Sequence, residues 1–115
     1  MKSLTENLGR IKNLLVAVDE GLPVYHYQRP SRESLDRYVI WAEQNEINSL
    51  VVNNRKAEQQ LQGTIDLYTQ VEFDTAVDGI QEALDAAEHV TWELASVQYE
   101  DETALIHYEW QFTVV

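Results

Sequence analysis

At 115 residues the chain has the length of one compact domain, read here as a single domain over 1–115, and its 44% hydrophobic and 10% aromatic residues supply a core without disulfides. The absence of Cys excludes a disulfide framework, a thiol nucleophile, a thiolate zinc site and an iron-sulfur cluster. The net charge of -12, from 8 Lys and Arg against 20 Asp and Glu, argues against affinity for a nucleic acid backbone or an anionic membrane.

Leu4, Leu8, Ile11, Leu14, Leu15, Val18 and Leu22 recur at steps of three and four, which predicts a first helix over about Leu4 to Glu20 with one buried stripe. Ser3 with Glu6 reads as its capping box, and Gly21 followed by Pro23 as a left-handed cap and a stop. The same opening residues break any apolar run, so neither a signal peptide nor a membrane span is expected, and a soluble intracellular protein is. After Pro23 the period becomes twofold. Val24 to Arg29 predicts a first strand, Ser31 to Asp36 a loop, Tyr38 to Glu43 a second strand and Ser49 to Asn53 a third, hairpinned to the second through Gln44 to Asn48. Asn54 to Gln59 reads as a polar connection. Leu61, Gly63, Ile65 and Leu67 then alternate with polar residues in a fourth strand, where Gly63 marks a bulge or a close approach of backbone.

Asp74 caps a predicted second helix with buried stripe Ala76, Val77, Ile80, Ala83, Leu84 and Ala87. Two strands follow, Val90 to Tyr99 and Ala104 to Val115, joined by a turn at Glu100 to Thr103. In the last strand Ile106, Tyr108, Trp110, Phe112 and Val114 should face the core, opposite Leu8, Ile11 and Leu15. The order α-β-β-β-β-α-β-β lacks the alternation that builds a parallel sheet. It predicts an α+β fold, an antiparallel sheet of about six strands with two helices packed on one face.

Chemistry is harder to find. Four scattered glycines cannot form a phosphate loop, and His26, His89 and His107 show no metal-ligand spacing, so they read as surface or interface histidines. No serine sits in a strand, sharp turn and helix of the nucleophile-elbow kind. Glu100, Asp101 and Glu102 lack the ligand spacing of a calcium loop and read as a solvated turn. No catalytic, cofactor-binding or metal-binding residue is assigned, and no enzyme activity is expected.

The charges are distributed unevenly. All eight basic residues lie at or before Lys56, where seven acids nearly balance them, while Ala57 to Val115 carries thirteen acids and no Lys or Arg. On the second helix Asp78 stands four residues from both Asp74 and Glu82, and each like-charge pair costs about 0.2 to 0.5 kcal/mol. Asp85 and Glu88 add negative charge at the negative end of the helix dipole, with nothing local to compensate. Either these acids keep the protein soluble, or a basic surface meets them in an assembly. The second reading makes Asp78, Glu82, Asp85 and Glu88 one half of a joint between copies and Arg29, Arg32, Arg55 and Lys56 the other.

Whole segments carry a resemblance: PVYHY at 23–27, YVIWAE at 38–43, GTIDLYT at 63–69, FDTAVDGIQEAL at 73–84 and WELASVQYEDETALIHYEWQF at 92–112. Together they resemble the small tail-terminator and tail-completion proteins of long-tailed bacteriophages and prophages. The resemblance implies a structural virion protein that forms a homohexameric ring on the head-proximal end of the tail tube. Such a ring ends tube growth, offers a head-joining surface and lets DNA pass through. The implied partners are other copies of the chain, the tail tube protein and a head-completion protein, first in the host cytoplasm and then in the virion tail. A basic half and an acidic half fit a head-to-tail ring, and an excess of carboxylates fits a passage that does not grip phosphates. The alternatives are a head-closure or adaptor virion protein, or a small acidic protein that mimics DNA to occupy a DNA-binding partner.

Overall fold

A computed structural model describes residues 3–29 and 35–115. Its elements in chain order are α1 (Leu4–Val16), β1 (Val24–His26), β2 (Arg37–Glu46), β3 (Val51–Val52), β4 (Arg55–Lys56), β5 (Leu61–Thr69), α2 (Thr75–Ala86), β6 (Val90–Glu100) and β7 (Leu105–Val114). Five strands form one sheet in the order β1-β2-β5-β7-β6, and β3 and β4 form a separate two-stranded sheet.

The α+β class and the two helices agree with the sequence reading, and the sheet corrects it in three places. It is mixed, because β1 runs parallel to β2, Val24 opposite Val39 and His26 opposite Trp41. Ten residues, 27–36, lie between the two strands, enough chain to return to the start of a parallel neighbour. Among the described residues the sheet has five strands where about six were expected, and Arg55–Lys56 is a strand inside the expected polar connection. The hairpin partner of β2 is also different: Val51–Val52 pairs with Arg55–Lys56, and β2 pairs antiparallel with β5 from Arg37 opposite Thr69 to Glu46 opposite Leu61. Asn53 and Asn54 explain the tight hairpin, with φ of 53° and 62°. A two-residue turn of that hand matches the twist of its strands, and Asn tolerates it.

α1 also ends early. Ser3 does cap it, its Oγ accepting from the Glu6 amide at 3.2 Å, but the C-cap is Ala17 in right-handed conformation and Gly21 has no positive φ. The Gly21 amide instead donates to Asp19 Oδ1 at 2.9 Å, which closes the chain into a turn before Pro23.

One core joins both helices to one face of the sheet. Ile11 and Leu15 from α1, Ala76, Ile80 and Leu84 from α2, and Val39, Trp41, Ile65, Leu67, Trp110, Phe112 and Val114 from the strands are all buried in it. The alternation in β7 places Trp110, Phe112 and Val114 inside as the sequence requires, while Tyr108 packs partly against the core and Ile106 is half-buried. Trp110 satisfies its indole by donating from Nε1 to Gln81 Oε1 of α2 at 3.1 Å.

Gly63 unites both meanings given to it. It lies opposite Glu43, next to a register shift in β2 between Glu43 and Asn45, and a Cβ there would meet the Ala42 carbonyl oxygen and, at 2.6 Å, Phe112 Cζ. Gly79 has a comparable role where α2 meets the turn after α1, because a Cβ on it would lie 2.8 Å from Val18 Cγ1.

Candidate functional site

The features that stand out from an ordinary solvated surface are at the two ends of the strands. At one end, β2 begins at Arg37 beside Thr69, the last residue of β5. Arg37 Nε donates to Asp74 Oδ2 at 2.8 Å and Nη2 to Oδ1 at 3.0 Å, and Nη1 reaches Asp19 Oδ2 at 2.9 Å. Asp74 is buried, accepts from Thr69 Oγ1 at 2.7 Å, and caps α2 by accepting from the Ala76 amide at 2.8 Å. The Arg37 guanidinium, with those two donors, holds the Asp74 carboxyl down to about 2 against the cost of burying it. This network locks the start of α2 to the end of the sheet.

Phe73 is held next to that lock. Its φ is 59°, an unusual conformation for a bulky residue, and the side chain is 87% exposed. It borders a shallow depression of about 200 Å³ with Asp74, Val77, Asp78 and Tyr108. Tyr108 lies opposite Val97 of the edge strand β6, and Tyr99 lies opposite Ile106. Val97, Tyr99 and Val71 are all about half exposed or more, so this end of the sheet presents a run of apolar and aromatic groups to solvent. The sequence reading missed this patch. Its signal is the switch of apolar positions from 90, 92 and 94 to 97 and 99, which an inserted residue produces; the register of β6 shifts between Leu94 and Ser96.

At the opposite end, past Glu46 and Leu61, the β3–β4 hairpin is exposed throughout. Leu50, Val51 and Val52 all stand half open to water there. Val52 pairs with Arg55 and Val51 with Lys56, so each pair shares one face of the ribbon. Lys56 Nζ reaches both oxygens of Glu46 at 2.5 and 2.7 Å, whereas Arg55 makes no ion pair among the described residues.

The expected joint residues can now be located. Asp78, Glu82, Asp85 and Glu88 all lie exposed on or just past α2, and none is in an ion pair with a described basic residue. Nothing local compensates the C-terminal end of α2, but a distant cation lies just past it: Arg10 of α1 donates from Nη2 to the Glu88 carbonyl oxygen. A helix pattern read one element at a time cannot reveal a cation 78 residues away. Of the basic set, Arg29 lies over the Tyr38 ring at 5.3 Å, Lys56 is engaged by Glu46, Arg55 is exposed, and Arg32 lies outside the described residues. Among the described residues, neither Arg55 nor Lys56 forms an ion pair with an acid of α2.

The face of the sheet away from the helices carries a row of rings. Tyr38 stacks on Tyr68 at 4.8 Å and Tyr68 on His107 at 4.2 Å, while His107 Nε2 pairs with Asp66 Oδ1 at 2.7 Å and Nδ1 lies 3.4 Å from Glu100 Oε1. Burial, with nearby Asp66 and Glu100, pushes the Tyr68 hydroxyl up to about 12. Asp66, His107 and Glu109 bring ligand atoms within 4.8 Å of one another, but His107 is already committed to two carboxylates and a stacked ring. A second cluster joins His26 to Trp41, stacked at 3.9 Å, and to Glu43 Oε2 at 2.7 Å; Glu43 also accepts from the Tyr27 hydroxyl. In both clusters the groups stack on and hydrogen-bond one another. No described helix is long and apolar enough to cross a membrane.

No protein-family model matches the chain, and no curated protein does. A search of solved structures finds the same fold in a chain of the virion of a native gene transfer agent particle. The two agree with a TM-score of 0.63 over 99% of this chain and 97% of that one, at 14% sequence identity.

Proposed function

We propose that this protein is a structural component of a phage-type virion: a ring at the head-proximal end of the tail tube that stops tube growth and presents the surface to which the head joins. The observation that carries this reading is the end-to-end likeness of the fold to a chain of a gene transfer agent virion. Nearly all of both chains take part, so it is the whole molecule and not a common sub-motif that is shared. The resemblance of the sequence segments to tail terminators narrows the role within the virion.

The surface chemistry supports the same reading. Exposed apolar groups at both ends of the strands, with unpaired charge of opposite sign beside them, are what a subunit of a closed assembly leaves open before it assembles. The two ends differ, as a head-to-tail ring demands and a twofold dimer does not. Thirteen acids against no Lys or Arg in the second half of the sequence suit a channel that DNA slides through without binding. The partners in this reading are further copies of the chain, a tail tube protein and a head-completion protein, and the role involves no catalysis.

The test is tube length. Tail tube protein assembled with an excess of this protein should give tubes capped at one end and markedly shorter, counted by electron microscopy. Tubes that grow to the same length with and without it refute the terminator role. If the protein then binds purified heads or portals instead of tube ends, it is a head-closure or adaptor protein.

A further inference from the structure

The two exposed apolar surfaces match each other. One face of the β3–β4 hairpin carries Val52 and Arg55 as cross-strand partners, with Leu50 two residues before Val52, and all three are exposed. The depression at the other end is lined by Phe73, Val77 and Tyr108 together with two acids, Asp74, which Arg37 holds, and Asp78, an exposed carboxylate with no ion-pair partner among the described residues. A small apolar knob beside a cation thus corresponds to a seat with three apolar or aromatic side chains and an unpaired anion at its edge. The opposite face of the hairpin is excluded from the same role, because its cation, Lys56, is already engaged by Glu46.

The match cannot be satisfied within one chain. The hairpin follows Glu46, at the end of the sheet where Glu46 opposes Leu61, whereas the seat adjoins Thr69, at the end where Arg37 opposes Thr69. Eight further residues of β5 separate those ends, roughly 26 Å at the rise of a strand. The hairpin is also too small to be stable by its own contacts, since two strands of two residues bury almost nothing.

We propose that the Leu50, Val52 and Arg55 face of the β3–β4 hairpin docks into the Phe73, Val77 and Tyr108 depression of a second copy of this chain, with Arg55 pairing Asp78 across the joint. The contact uses a different surface on each copy, so it propagates from subunit to subunit and closes when the rotation per step divides a full turn. It rests on the ring reading above and names the joint that would build that ring. It also separates the four acids expected at the interface: Asp78 belongs to the joint, and Glu82 and Asp85, further along α2, and Glu88, just past it, do not.

Complementation tests the joint. Val52→Asp spoils the knob and leaves the seat, and Phe73→Asp spoils the seat and leaves the knob; both sites are exposed, so thermal melts should match those of the unaltered protein. By sedimentation each variant alone should associate about 30-fold more weakly or worse than the unaltered chain. Mixed in equal amounts, they should form a heterodimer and stop there, because the pair has one intact joint between them. Arg55→Asp should likewise weaken assembly, and combining it in one chain with Asp78→Arg should restore it. Oligomers of unaltered size from both single variants would overturn this contact and leave the ring reading standing, as would a mixture that stays monomeric. An unaltered chain that remains monomeric at every concentration would overturn the contact as well. Tubes that this protein fails to shorten would overturn the functional reading without touching the joint.

Discussion

Arg37 holds Asp74 by both oxygens, in a two-bond grip of 2.8 and 3.0 Å between the first residue of β2 and the residue that caps α2. The consequence is an asymmetry between the partners. Arg37→Met leaves a buried carboxylate with its counter-charge gone, and this should cost about 3 to 5 kcal/mol at neutral pH. Asp74→Asn keeps the shape of the site and leaves Arg37 its second partner, Asp19, so it should cost clearly less. Urea unfolding of the two variants checks the order. Equal costs would mean that the pair does not bear the strain of burial assigned to it.

The same pair sets the acid limit of stability. The Asp74 carboxyl ionises at about 2 in the folded protein, below its usual value of 3.8, so the unfolded chain binds the proton more readily. Its contribution of roughly 2 kcal/mol is therefore fully present above pH 4 and is lost as the pH falls from about 4 to 2. Asp19, held low by the Gly21 amide and by Arg37, acts in the same direction. Unfolding free energies measured from pH 6 down to pH 2 should fall across that window, and Asp74→Asn should flatten the fall.

Gly63 should tolerate no side chain. In Gly63→Ala the new methyl group meets a carbonyl oxygen of β2 and the Phe112 ring, and overpacking of this kind costs typically 1 to 3 kcal/mol or more. Phe112→Leu in the same chain should recover only part of the loss, because the Ala42 backbone cannot step aside as a side chain can. Thermal melts of the single and double variants measure both.

The acids of α2 should separate stability from assembly. Changing Asp78, Glu82, Asp85 and Glu88 to their amides removes the like-charge spacing and leaves the Arg10 contact intact, since that contact is to a backbone carbonyl. The protomer should be unchanged or more stable by up to about 1 kcal/mol. The proposed joint between copies should weaken, and Asp78→Asn alone should reproduce most of the weakening. An oligomer untouched by all four changes would show that α2 faces solvent or the channel.

The helices and the long strands were legible in the sequence because their periods run for many residues. The stripe of α1 and the alternation from Ile106 to Val114 each tie several large apolar groups to one face, and no other arrangement buries them together. Val51–Val52 was legible as a strand but not its partner. With only two residues on each side, pairing is decided by the Asn53–Asn54 turn and not by any pattern of apolar groups. The parallel β1 and the exposed Phe73 patch escaped for a related reason. Both depend on which strands lie side by side, and three residues of β1 or one inserted residue in β6 leave almost no trace in composition. The charges of α2 were read correctly as exposed, whereas Arg10 at its end could only be found in space.

The place of β7 has a consequence for how the protein is made. β5 and β6 both run antiparallel to β7, which lies in the slot between them and brings Trp110, Phe112 and Val114 into the core. During synthesis the slot stays empty until those residues have left the ribosome, and a nascent chain extended only through Glu100 has two halves of a sheet with nothing to join them. Closing that gap couples residues as far apart as Trp41 and Trp110, which favours a slow, concerted collapse over stepwise growth from the first helix. Folding is thus completed only after β7 has been made, and a subunit must be finished before it can offer either end of its sheet to a partner.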